Sequence, residues 1–155
     1  GLVFGAAAAV TVPVDAAAVS KAERVEHCVV EVTGVDRDGV FVTSEPVCFG
    51  TEREADARAA ATGSSRAGSA TIGKHYKNTN YGGSSITITG TTCGGGVWYP
   101  TGSWNNNIES SLHYCGSSPT RFYDGSNCST GQYTITSQRS TLGSMNNRAS
   151  CVRYG

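Results

Sequence analysis

The chain has 155 residues, twelve Lys/Arg against twelve Asp/Glu, no net charge and six cysteines. That length allows one ordinary domain, or a small domain with an appendage, and a neutral chain lacks the basic stripe that would release counterions from nucleic acid. The charges are uneven: residues 1–74 hold seven Lys/Arg and ten Asp/Glu, residues 75–155 five and two. With only Glu109 and Asp124 in the second region, most carboxylate-pair catalysis is excluded there, as is the acid-rich calcium loop of a helix-loop-helix site.

In chain order, Gly1 to Val14 is an apolar run too short to span a bilayer, followed by the small-residue cleavage pattern Ala16-Ala17-Ala18. We read residues 1–20 as the remainder of a signal peptide. Export leads to an oxidising compartment, and cysteines at 28, 48, 93, 115, 128 and 151 show no Cys-x-x-Cys spacing, so disulfides are expected rather than zinc ligation. Residues 21–61 read as a hairpin and helix, either a removable pro-segment or a permanent edge. Cys28, Val30 and Val32 alternate with Val29, Glu31 and Thr33 ahead of a turn at Asp38-Gly39. Pairing about that turn sets position 28 nearly opposite 49 and predicts a Cys28–Cys48 disulfide. Thr51-Glu52-Arg53-Glu54 is a capping-box pattern opening an Ala-rich helix over 55–61,. The Gly/Ser/Ala segment 62–70 then reads as a linker, with a domain over 71–155.

Beyond residue 70 the composition turns to Ser, Thr, Asn, Gly and Tyr, with the alternating runs Ile86-Thr87-Ile88-Thr89 and Tyr133-Thr134-Ile135-Thr136. Such short runs separated by polar turns predict strands. An offset of 47 superposes these runs, and lays Tyr76 on Tyr123 and Asn80 on Asn127. The second half of each copy matches at an offset of 40, placing Asn106, Asn107, Ser110 and Tyr114 on Asn146, Asn147, Ser150 and Tyr154. The first copy therefore carries a loop seven residues longer, within Gly90 to Gly102. Two such units cannot close a propeller but can pack face to face.

Each copy opens with an aromatic and a later glycine, Tyr76 with Gly83 and Tyr123 with Gly131, and ends in Asn-Asn-x-x-Ser. This resembles the βγ-crystallin Greek-key pair in its bacterial secreted form, which includes inhibitors of metalloproteases, over residues 72–155. The resemblance implies an all-β fold of two Greek-key motifs, preceded here by the hairpin and helix. It also implies calcium sites at Asn106-Asn107-Ile108-Glu109-Ser110 and Asn146-Asn147-Arg148-Ala149-Ser150. Each site would join a Ser hydroxyl and a backbone carbonyl of one copy to an Asn side chain of the other, so Asn106, Asn107, Ile108, Ser110, Asn146, Asn147, Arg148 and Ser150 are the candidate ligands. Calcium is a hard cation that accepts such oxygens. With no formal negative charge among them, a dissociation constant of about 10⁻⁴–10⁻³ M is expected. The same Asn and Ser residues also suit the capping of turns.

His27, His75 and His113 lack ligand spacing, and no Gly-x-Ser-x-Gly elbow occurs, so no catalytic centre is expected. Trp98, Tyr99 and Trp104 cluster about the longer loop, as a contact patch or as core. Cysteines 93, 115, 128 and 151 allow three pairings; we prefer Cys93–Cys115 with Cys128–Cys151, tying each loop to its own copy. The expectation is a secreted, monomeric, non-enzymatic protein that binds calcium weakly. The alternatives are an inhibitor of an extracellular protease, or a toxin or module that binds a cell-surface component or glycan.

Overall fold

The structure, a computed structural model, describes residues 23–65 and 68–155. The expected signal-peptide remnant over 1–20 lies outside the described residues. The first hairpin turns where Asp36 reaches ahead of itself: its carboxylate accepts from the N–H groups of Asp38 and Val40, both at 2.9 Å. Gly39 takes φ +81°, a conformation that costs glycine little. This makes a three-residue connection rather than a two-residue one, so strand β1 (His27–Val35) sets Cys28 opposite Cys48, not residue 49. β1 pairs with β2 (Phe41–Thr43) and β3 (Val47–Phe49), and the predicted Cys28–Cys48 disulfide is present.

The capping box at Thr51 is formed reciprocally. The Thr51 hydroxyl accepts from the Glu54 N–H at 3.3 Å, while the Glu54 carboxylate accepts from the Thr51 N–H at 3.2 Å. Helix α1 (Glu52–Ser65) runs beyond the predicted end at residue 61 and takes in half of the expected linker. Gly63 lets its last turn lie against the Ser69 carbonyl, where a Cβ would stand 2.7 Å from that oxygen.

The two copies follow: β4 (Ala70–Asn78), β5 (Gly82–Gly90), β6 (Gly96–Trp98) and β7 (Ser110–His113), then β8 (Thr120–Tyr123), β9 (Gln132–Ile135) and β10 (Cys151–Tyr154). The sheets are β2-β1-β5-β4-β7, with β3 also on β1, and β6-β10-β8-β9. The third strand of each copy lies in the other copy's sheet: β6 pairs with β10, and Arg139 exchanges two backbone hydrogen bonds with Ser111 of β7. Both corner glycines have positive φ, Gly83 at +71° and Gly131 at +58°. Tyr123 to Gly131 is one residue longer than Tyr76 to Gly83, and the second copy keeps its corner nonetheless. Cys93–Cys115 and Cys128–Cys151 are the pairings found, closing loops for which the chain-entropy estimate is about 3 kcal/mol each.

The hairpin belongs to the larger sheet. β1 pairs in parallel with β5 from His27↔Ser85 to Glu31↔Thr89, while Val40 bridges Val97 on the outer edge of β6. Thus residues 23–65 cover one edge of each sheet, edges that would otherwise present unpaired backbone groups. Phe41 enters between the sheets and stacks on Tyr154, and only glycine fits beneath it, since a Cβ at Gly96 would stand 1.8 Å from the ring. On the outer face, α1 lays Ala55 and Ala59 on Val29. Lys74, buried beneath it, reaches Glu52 and Asp56 at 2.6 Å each. Burial opposes these charges, but the hydrogen bonds hold the lysine pKa above its usual value and that of Glu52 below.

Between the sheets, His75 of β4 faces the Tyr154 hydroxyl of β10 at 2.6 Å through Nε2, and the Ser111 hydroxyl at 3.0 Å through Nδ1. Trp98 stacks on the ring and Phe122 meets it edge-on. Burial pushes the His75 pKa down to about 3 and that of Tyr154 well up. Among the described residues no helix is long and apolar enough to cross a membrane.

Two predictions follow from this packing. A group neutral in the folded state but protonated in the unfolded one removes stability as pH falls below its unfolded pKa, near 6.5 for histidine. Stability should therefore fall as pH drops below 6.5, the slope approaching about 1.4 kcal/mol per pH unit near pH 5.5, before Glu52 adds its own loss at lower pH. Urea melts should show that slope in the native protein and lose it in His75→Gln. Separately, Gly96→Ala should cost about 1–3 kcal/mol by overpacking in the native chain and much less in a Phe41→Ala background, as a double-mutant cycle of melts would report.

Candidate functional site

After the third strand of each copy the chain passes through two similar turns, Gly102–Trp104 and Gly143–Met145. Each turn buries a side chain, Trp104 and Met145, and each is followed by an Asn with φ near +57°, Asn106 at +58° and Asn147 at +57°. Asparagine tolerates this left-handed conformation better than most residues. The backbone is reciprocal across the pair: the Asn106 N–H donates to the Ala149 carbonyl and the Asn147 N–H to the Ile108 carbonyl, both at 3.0 Å. Tyr76 lies opposite Ser110 and Tyr123 opposite Cys151.

These equivalences set the offset of the second halves at 41, not 40. The longer loop of the first copy thus exceeds its counterpart by six residues rather than seven. The matched elements are Asn105-Asn106-Asn107-Ile108-Glu109-Ser110 and Asn146-Asn147-Arg148-Ala149-Ser150-Cys151. The partner of Ser150 in the repeat is therefore Glu109.

Two surface constellations result, one at each end of the reciprocal pair. In the first, the Ser150 hydroxyl of the second copy donates to Asn106 Oδ1 of the first at 2.8 Å. In the second, Asn147 Nδ2 of the second copy donates to the Glu109 carboxylate of the first, whose other oxygen accepts from the Thr79 N–H at 3.1 Å. Asn106 and Asn147 are exposed, and Ser150 and Glu109 half-buried. Each constellation gathers oxygen-bearing side chains from both copies, and the carboxylate of Glu109 makes one of them anionic.

The remaining predicted ligands stand elsewhere. Ser110 is fully buried, donating to the Asn78 carbonyl at 2.6 Å and accepting from the Tyr81 N–H at 3.0 Å. Ile108 is core, and its carbonyl holds Asn147. Asn146 is turned back on its own loop, where Oδ1 accepts from the Leu142 N–H at 2.9 Å. The Asn107 side chain donates to the Ser103 carbonyl, and the Arg148 guanidinium is paired with Asp124. Only their carbonyls, one residue past Asn106 and Asn147, adjoin the two constellations in sequence.

The aromatic loop is not a raised contact patch. Trp98 is 6% exposed and Trp104 8%, both in the main core, and Tyr99 is half-buried with its hydroxyl 3.6 Å from Cys128 Sγ. Residues 96–98, inside the longer loop placed within Gly90 to Gly102, are spent on β6. His27 and His113 meet hydroxyl and carbonyl groups. Glu26 lies with Cys28 and Cys48, whose sulfurs are joined to one another and so offer no thiolate.

No protein-family model matches the sequence, and a search of curated proteins returned no match. Among solved structures the chain is similar to a βγ-crystallin domain from Clostridium beijerinckii, at 19% identity and TM-score 0.45, covering 53% of this chain and 94% of that one. It is similar to a βγ-crystallin from an archaeon at 21% identity and TM-score 0.44, covering 55% and 98%. The N-terminal domain of Protein S is similar at 19% identity and TM-score 0.44, covering 52% and 91%.

The offset of 41 makes the two serines behave differently. Ser110→Ala should cost about 1–3 kcal/mol, because it removes a buried hydroxyl that joins the Asn78 carbonyl to the Tyr81 N–H,. Ser150→Ala, at the surface, should stay within about 0.5 kcal/mol. Chemical denaturation of the two variants checks this, and equal effects would contradict the assignment.

Proposed function

We propose that the protein is a secreted, non-enzymatic Greek-key protein that binds calcium weakly at two sites shared between its copies. The observation that carries this reading is the reciprocal pairing of Asn106 with Ser150 and of Asn147 with Glu109. Amide, hydroxyl, carboxylate and carbonyl oxygens are the donors a hard cation takes, with water completing its shell. One site would use Asn106, Ser150 and the Arg148 carbonyl; the other Asn147, Glu109 and the Asn107 carbonyl. Bound calcium would clamp the two copies together and so stabilise the sandwich by mass action. Three disulfides favour an oxidising, extracellular destination. Residues 23–65 stay on the mature protein in this reading, since they supply β1, Phe41 and α1 to the fold.

The sites should differ, because only the second carries formal charge. Calorimetric titration should give the tighter constant at the Glu109 site, with the pair spanning about 10⁻⁴–10⁻³ M. Glu109→Gln should abolish the tighter component, Asn106→Ala the weaker. Native protein whose melting temperature is the same in chelator and in millimolar calcium would sink the proposal.

A further inference from the structure

The contact between residues 23–65 and 68–155 is built like an interface between two chains. Each side closes its own disulfides, Cys28–Cys48 on one and Cys93–Cys115 with Cys128–Cys151 on the other. The charges are opposed: residues 23–65 carry nine Asp/Glu and four Arg, residues 68–155 two Asp/Glu and six Lys/Arg. The opposition is used at the contact, where Lys74 meets Glu52 and Asp56, and Lys77 meets Glu23. β1 joins by adding to the edge of β5, the mode by which extended segments dock on foreign sheets. The N-terminal side has little core of its own beyond Val29, Ala55, Ala59 and Phe49. Its larger apolar residues, Val30, Val32 and Phe41, are spent in the core of the other side.

We propose that the β5 edge, the slot over Gly96 and Lys74 form an acceptor that also takes residues 23–65 from a second copy of this chain, giving a dimer in which the two segments are exchanged. Exchange replaces every contact with an identical one, so it costs no interface energy. In dilute solution the tethered segment wins, because a short connection holds it at an effective concentration of order millimolar. The native chain is therefore a monomer at micromolar concentration. It forms exchanged dimer when unfolded with disulfides intact and refolded near ~1 mM.

Charge reversal isolates the exchange. Lys74→Glu places a carboxylate against Glu52 and Asp56; Glu52→Lys with Asp56→Lys places two ammonium groups against Lys74. Each variant alone is mispaired and should melt below the native protein. In an exchanged heterodimer of the two, both contacts are matched again. An equimolar mixture, unfolded in urea and refolded, should give a species of twice the monomer mass containing both variants one to one, with melting temperature recovered toward native. A mixture that stays monomeric, each component keeping its own lowered melting temperature, overturns the proposal, as does a dimer in which the two variants combine at random. Should either variant fail to fold alone, soluble heterodimer from the mixture supports the exchange and precipitate from the mixture overturns it.

Discussion

Neither copy of the repeat can complete its own sheet. β6 leaves the first copy to lie against β10, and the segment at Arg139 leaves the second to lie against Ser111. Once the third strands are exchanged, the two sheets must face each other, and the space between them takes Ile88, Ile108, Phe122, Leu142 and Val152 out of water. Each such side chain contributes about 1.5–3 kcal/mol by burial. The same crossing brings the two copies together where the backbone pairs Asn106 with Ala149 and Asn147 with Ile108. The candidate ligands are adjacent because the topology is reciprocal, not because they are near in sequence.

A polar link runs through this apolar space. His75 holds Tyr154 across the gap between sheets, and Gly73 leaves room for the tyrosine ring, since a Cβ there would stand 2.6 Å from it. Buried polar groups of this kind cost little only while every partner is in place. Phe41 packs on the other side of Tyr154, so the N-terminal segment also seals the open end of the core.

Much of this was legible in the sequence, for identifiable reasons. Alternation and an aromatic-to-glycine corner are local signals, and both copies carry them, so the strands and the offset of 47 could be read directly. Cys28–Cys48 followed from pairing about the Asp38-Gly39 turn, while the other two bridges match the preferred one of the three pairings the sequence left open. The offset of 41 was hidden because Asn105, Asn106 and Asn107 are three identical residues, and Ser110-Ser111 supplies a serine at either register. What decides it is backbone conformation at Asn106 and Asn147 and the plugs Trp104 and Met145, which share no side-chain identity. For the same reason Glu109 was missed as a candidate ligand. The parallel pairing of β1 on β5 had no local signal, because any half-apolar strand alternates the same way whichever edge it joins. Tryptophans in a Gly-rich stretch suit a contact patch or a core, and the core reading is the one found, with Val97 and Trp98 buried where Gly96 admits Phe41.

The proposed calcium sites pair Asn106 with Ser150 and Asn147 with Glu109 across the two copies. A calcium titration followed by two-dimensional NMR of ¹⁵N-labelled protein tests this pairing most directly. Saturable shifts should appear at the side-chain amides of Asn106 and Asn147 and at the backbone amides following Asn107 and Arg148, with Ser110 and Asn146 nearly still. Shifts centred on Ser110 and Asn146, or none up to several millimolar calcium, would contradict it.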